Sequence, residues 1–231
     1  PSLLSRTILP IASSSRGSPY GASPITAVEL LARCQSVNPR THVVGVEIER
    51  ERVERGLAVA GPNLSFVLGG FETPLPAEFA AGTKVDLIRA FNVLRQYDES
   101  QVAGAWALMQ SRLSPHGYLI EGTCDEIGRL ASWVTLDASG PQWFTISLRL
   151  SVLEQPSKVA ERLPKALIHR NVEGEAIHAY LAALDAAWNT NAPLGVFGAV
   201  QRWLRSWRSP PSRRRHLRPL RQRPRPRPSR P

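Results

Sequence analysis

The sequence predicts an α/β fold: a doubly wound, mostly parallel sheet with an antiparallel edge, then C-terminal helices and a disordered tail. Three observations carry this reading. Short β-branched runs alternate with helical patterns of about 10–15 residues, the signature of βαβ units. Two later strand patterns lie close together in the chain, as an antiparallel edge on a parallel sheet requires. Composition then changes abruptly at residues 205–231, which hold eleven arginines, seven prolines and no acidic residue.

Taken in order, residues 1–19 form an atypical N-terminal segment rich in Ser, Arg and Pro, with one apolar patch at 8–12. Residues 26–34 place Ala27, Val28, Leu30, Leu31 and Cys34 at helical spacing, and Pro39 closes that helix. The run 42–48 is β-branched and reads as a strand buried on both faces. A helix is expected over 49–60, stopped by Gly61 and Pro62, and a strand over 64–68, stopped by Gly69 and Gly70. Strand 85–90, helix 99–113 and strand 118–121 follow, the last after the turn Ser114-Pro115-His116-Gly117. Two strands are expected at 133–136 and 144–150, and two helices at 157–167 and 175–188.

The charge bears on the partners. Lys and Arg number 29 against 19 Asp and Glu, a net charge of +10. Eleven of the basic groups lie in 205–231, which leaves residues 1–204 with 18 basic and 19 acidic groups, or −1. The globular part therefore has no basic footprint, and nucleic acid is a partner through the tail only. Prolines remove backbone donors and arginines repel one another, so the tail is expected to stay extended and solvated. No stretch approaches ~18 consecutive apolar residues, which excludes a membrane span. No membrane partner and a cytoplasmic location are expected. Two cysteines, Cys34 and Cys124, cannot build a disulfide framework and fit no zinc spacing, so no metal is expected.

In a doubly wound sheet, ligands bind beyond the carboxyl ends of the strands near the switch point. Tyr20-Gly21-Ala22-Ser23-Pro24 precedes the first helix, where a tight turn lets backbone N–H groups approach a ligand. Its plain alternative is a helix-entry turn. Glu47 interrupts the end of an otherwise apolar strand, where a carboxylate can accept hydrogen bonds from vicinal ribose hydroxyls. Its plain alternative is surface decoration.

Four stretches, Gly21-Ala22-Ser23-Pro24, Val43-Val44-Gly45-Val46-Glu47-Ile48, Asp86-Leu87-Ile88-Arg89-Ala90-Phe91-Asn92-Val93-Leu94 and Arg112-Leu113-Ser114-Pro115-His116-Gly117-Tyr118-Leu119-Ile120, occur in a familiar order and spacing. With the Leu-x-Pro-x-Gly turn from Leu113 to Gly117, they resemble class I S-adenosylmethionine-dependent methyltransferases. The resemblance is closest to an uncharacterised actinobacterial-type methylase group and covers about residues 20–204. It implies a Rossmann-like domain, S-adenosylmethionine as cofactor and methyl transfer to an unidentified, small-molecule acceptor. It further implies that Gly21 and Ala22 form the loop against the methionine moiety and that Glu47 holds the ribose. Gly70 and Phe71 would lie beside the adenine. Asn92 would face the substrate or the carboxylate end of the methyl donor.

Two departures from the family pattern stand out. Gly70 occupies a position where an Asp often reads the adenine amino group. Arg16-Gly17-Ser18-Pro19 stands where a strand ending in Asp-x-Gly is usual, and the composition breaks at both edges suggest a shifted reading frame or a disrupted gene. Methyl transfer needs alignment more than it needs a catalytic base, so the acceptor leaves no triad in the sequence and no catalytic residue is assigned. Arg95, Tyr97, Asp125 and His169 are the candidates for substrate contact, against plain readings as solvated, capping or core groups. Cys124 reads as a structural thiol, since no cationic neighbour is adjacent in sequence. Two alternatives stand beside the enzyme: a nucleic-acid binder acting through its tail, and a non-catalytic remnant of the methyltransferase fold.

Overall fold

The computed structural model describes residues 6–10 and 24–208 of the 231-residue chain. Its elements run β1 (Arg6–Pro10), α1 (Ile25–Gln35), β2 (His42–Glu47), α2 (Arg50–Leu57), β3 (Leu64–Leu68), β4 (Val85–Phe91), α3 (Glu99–Gln110), β5 (Leu113–Cys124), β6 (Leu130–Asp137), β7 (Gly140–Leu148), α4 (Lys165–Ile168), α5 (Ala176–Thr190) and α6 (Ala199–Arg208). Among the described residues, the seven strands form one sheet in the order β3-β2-β1-β4-β5-β6-β7. Strands β1 to β5 are parallel to one another, and β6 and β7 extend the sheet from β5 as an antiparallel meander. The expected α/β class, the parallel sheet, its antiparallel edge and the C-terminal helices are all present.

The alternation of side chains assigns the helices to two faces. Val43, Leu64 and Phe66 point to one side and form a cluster with Ala27, Leu30 and Leu31 of α1 and Val53 of α2. Val44, Val46, Ile88, Leu119, Val134 and Leu136 point to the other. There they join Val102, Trp106 and Met109 of α3 with Leu167, Ile177 and Leu181 from the later helices. Helix α2 sits tightly on its strands because Phe66 lies between two glycines. A Cβ at Gly45 would fall 2.5 Å from the Phe66 ring, and one at Gly56 would also overlap it.

Several expectations shift, each for a local reason. The N-terminal segment, read as atypical, supplies the central strand: β1 pairs with β2 over all five residues and with β4 at Thr7 and Ile8. Helix α2 ends at Leu57, because Val59 and Ala60 donate to Gly56 and Leu57 in tighter turns before Gly61 bridges to Leu64. The helix expected at 157–167 is instead a 3-10 segment, Pro156–Arg162, followed by the four-residue α4. Pro164 explains the break, since it holds Leu163 extended and has no N–H to continue a helix. The tail boundary also moves, because α6 runs to Arg208. Residues 209–231, and with them most of the expected disordered tail, lie outside the described residues.

Strand β5 begins at Leu113, earlier than expected, with the Leu-Ser-Pro-His-Gly turn bulged out within it. Leu113 pairs with Val85 and Tyr118 with Leu87, so four residues of β5 face one of β4. Ser114 Oγ donates to Asp86 Oδ1 at 2.7 Å and anchors the bulge. A Cβ at Gly117 would lie 2.7 Å from the Val85 carbonyl oxygen. Gly117→Ala should therefore destabilise the fold by about 1–3 kcal/mol, the usual cost of forcing atoms into a packed site. The check is the urea midpoint; an unchanged midpoint would mean that the bulge yields freely.

Candidate functional site

Carboxyl ends of the parallel strands gather most of the residues singled out above. Glu47, the last residue of β2, is 3% exposed although ionisable. Its backbone carbonyl accepts from Gly69 N–H at 2.9 Å, which ties the ends of β2 and β3 together. Burial pushes its pKa up to about 7, opposed by Arg52 and reinforced by Glu49. Arg52 Nη1 stands 3.8 Å from Glu47 Oε2, while Arg52 Nε makes the closer contact to Glu49, at 3.0 Å. Among the described residues, Glu47 Oε2 has no hydrogen-bond partner.

The loop leaving β3 is strained. Gly70 N–H donates to Glu72 Oε1 at 2.8 Å. Thr73 adopts φ 41°, an unfavourable conformation for a β-branched residue, and is fully buried with its hydroxyl unpartnered among the described residues. Phe71 turns its ring edge-on to Tyr97 with centroids 5.2 Å apart. A candidate for adenine contact and a candidate for substrate contact thus form one aromatic wall, joining the β3 loop to the segment after β4.

Asn92 follows β4 with φ 60°, a left-handed conformation that Asn tolerates better than most residues. Its side chain spans to the end of β5, accepting from Cys124 N–H at 3.0 Å and donating to Cys124 Sγ at 3.3 Å. Asn92 and Cys124 therefore fix the ends of β4 and β5 relative to each other. Arg89, two residues before the end of β4, has its pKa lowered by burial and partly restored by Cys124. Its guanidinium stacks 4.2 Å over the Phe91 ring.

The remaining candidates are less convergent. Arg95 is exposed, and its pKa falls through desolvation and the nearby charge of Arg162. Asp125 closes the β5–β6 turn: its carboxylate accepts from Arg129 N–H at 2.6 Å and Leu130 N–H at 3.3 Å. It lines a charged cleft of about 310 Å³ with Arg129, Arg149 and Lys158, and none of Glu47, Gly70, Phe71 or Asn92 borders that cleft. His169 is exposed at the C-terminus of α4. Gly21 and Ala22 lie outside the described residues. Among the described residues, no cluster of His, Cys, Asp and Glu could hold a metal ion.

Sequence reading missed two buried polar groups. Glu121 of β5 is 1% exposed, and burial pushes its pKa up to about 8, with only the indole of Trp106 opposing. The Trp106 indole N–H faces the Glu121 carboxyl but does not reach hydrogen-bonding geometry, so Glu121 Oε2 and Trp106 Nε1 are each left without a hydrogen bond among the described residues. The signal was present, because Glu121 breaks the inward alternation of Leu119 and Thr123. Thr73 left no comparable trace, since its strain comes from the path of the loop.

No family model matches the chain, and no curated protein matches it. Solved structures similar to it include a TehB-like SAM-dependent methyltransferase from Corynebacterium glutamicum, 17% identical over 54% of this chain and 58% of that one, TM-score 0.37. The CMeT domain of the citrinin polyketide synthase is 14% identical over 51% of this chain and 28% of that one, TM-score 0.38. LepI in complex with SAM is 11% identical over 55% of this chain and 29% of that one, TM-score 0.38. The chain thus spans between 28% and 58% of the length of these structures. Its own strand order, with helices packed on both faces of the sheet, defines its fold as a Rossmann-like doubly wound sheet.

Proposed function

We propose that the chain is an S-adenosylmethionine-dependent methyltransferase of the actinobacterial-type group its motifs resemble, acting on an unidentified small-molecule acceptor. One observation carries the reading. Glu47 ends β2, next to the central strand β1, with a buried carboxyl oxygen that has no hydrogen-bond partner among the described residues and faces Arg52 Nη1 at 3.8 Å. A buried, unsatisfied acceptor is costly unless a ligand completes it, and two vicinal hydroxyls are a suitable donor set. When bound, S-adenosylmethionine would supply an electrophilic methyl group on sulfur.

The protein's part is orientation. Glu47 accepts the ribose hydroxyls. Gly70 and Phe71 would line the adenine side, with the Phe71 ring braced by Tyr97. Asn92, clamped to Cys124, sets the distance between the β4 and β5 ends where the acceptor is aligned. Such positioning is the main protein contribution to a displacement that needs no metal or covalent intermediate.

Calorimetric titration with S-adenosylhomocysteine tests the assignment. Glu47→Ala should weaken binding about tenfold or more, consistent with losing hydrogen bonds to a charged acceptor. In the native protein, affinity should rise as pH increases through about 7, where Glu47 ionises, and Glu47→Gln should flatten that rise. Equal affinity for native and Glu47→Ala proteins would remove Glu47 from the site. Absence of any binding by the native protein would favour the non-catalytic remnant.

A further inference from the structure

The charged cleft at the β5–β6 turn is unused by the reading above. Its volume of about 310 Å³ falls at the lower end of the range usual for small-ligand sites. Asp125 enters it one residue beyond Cys124, which Asn92 clamps, so the cleft opens at the carboxyl end of β5. Arg129 and Leu130 reach it from the entry to β6, and Arg149, Val152 and Leu153 from the segment that follows β7. That segment is held in place. Val152 N–H donates to Arg149 O at 3.3 Å in the 3-10 turn Leu150–Val152, and the buried Trp188 of α5 donates its Nε1 to Glu154 O at 2.9 Å.

The two arginines face each other across the β6–β7 hairpin. Leu130 pairs with Leu148, and one step further Arg149 N–H donates to Arg129 O at 2.8 Å. Residues opposed in this way hold their Cβ atoms roughly 5 Å apart, where like charges repel. Carboxylates answer that repulsion on one side only. Asp125 takes Arg129 Nε at 3.3 Å, but its Oδ1 is already occupied by the N–H groups of Arg129 and Leu130. Lys158, which also lines the cleft, is answered by Glu161 at 2.6 Å, and Glu154 adds to that pull. Arg149 has no carboxylate partner among the described residues; its Nε reaches only the Ser151 hydroxyl, at 3.3 Å. Two neighbouring guanidiniums offer paired N–H donors to one carboxylate. Leu130, Val152 and Leu153 offer apolar surface to whatever carries it. One unanswered cation suits a monoanion better than a dianionic phosphate.

We propose that this cleft binds a small monocarboxylate with an apolar body, its carboxylate shared by Arg149 and Arg129 and its body lying against Leu130, Val152 and Leu153. Asp125, expected to touch substrate, instead shapes the turn that presents Arg129. The site does not depend on methyl transfer, because it shares no residue with the Glu47 end of the sheet.

Ligand-observed NMR titration of the full chain with hexanoate tests this. Hexanoate should bind with a Kd of about 1 mM or tighter, and hexanol and inorganic phosphate at least about tenfold more weakly. Arg149→Gln changes an exposed side chain that makes no ion pair, so the fold persists. It should weaken hexanoate binding about tenfold or more, the effect of losing a hydrogen bond to a charged group. Val152, 60% exposed, can likewise be changed without unfolding the chain, and Val152→Ser should weaken hexanoate binding about threefold. Absence of hexanoate binding by the native chain at about 10 mM would overturn the proposal. So would native-like binding by Arg149→Gln, which would place the anion elsewhere. Phosphate binding as tight as hexanoate would also overturn it, marking an adventitious ion only.

Discussion

Glu121→Gln should unfold at a higher temperature than the native chain at pH 8, and the two proteins should converge near about pH 4. The Glu121 pKa rises from an ordinary 4.5 to about 8 in the folded protein because its carboxyl is removed from water. Between these values the folded state holds a proton that the unfolded state has released. Stability therefore falls as pH rises through that window and levels off above about 8. A shift of this size corresponds to on the order of 4 kcal/mol at the alkaline end. Gln keeps the shape without a charge to desolvate and should abolish that part of the slope. Slope remaining below about 7 belongs to Glu47, whose pKa is raised in the same sense. Urea denaturation of both proteins at several pH values decides the matter; parallel profiles would mean that Glu121 reaches water.

Phe66→Ala should cost about 3–5 kcal/mol, the range for emptying a buried aromatic site. The ring is 6% exposed and fills the space left by Gly45 of β2 and Gly56 of α2, so its loss opens a void where helix and sheet meet. The same geometry predicts coupling. Gly45→Ala alone would bring a Cβ within 2.5 Å of the Phe66 ring and should destabilise the domain. In a Phe66→Ala background that methyl enters the vacated space, so the two changes together should cost less than the sum of their separate effects. Additive free energies in a double-mutant cycle would show that the ring can move aside.

Strand β2 was legible because it is a short β-branched run buried on both faces, and β3 and β4 because each is a short apolar-rich run bounded by turn residues. Strand β1 was not. Arg6-Thr7-Ile8-Leu9-Pro10 is short and ends in Pro, and its central place depends on the backbone ladders of β2 and β4. The break at Pro164 was visible in the letters, but the helical spacing around it masked the break. Glu47 stood out because it interrupts the end of an otherwise apolar strand, and the structure buries it there. Burial and missing partners at Glu121 and Thr73 are tertiary properties, set when α3 covers β5 and when the β3 loop turns back on itself. The turn residues Asp125 and Asn92 were legible as strand-end groups, yet only geometry separates them: Asp125 closes a hairpin, and Asn92 clamps two strands.

The position of β1 also has a kinetic consequence. Ile8 pairs opposite Val44 and Ile88, 36 and 80 residues further along the chain, whereas Asp137 pairs with Gly140 across a tight turn. Local hairpins close in microseconds, but distant pairings carry the entropy of a long loop and form slowly. The β5–β7 meander can therefore zip first, while the β2–β3 and β4–β5 halves wait to be joined. Although β1 comes earliest in the chain, it is expected to dock last, and its arrival turns two partial sheets into one.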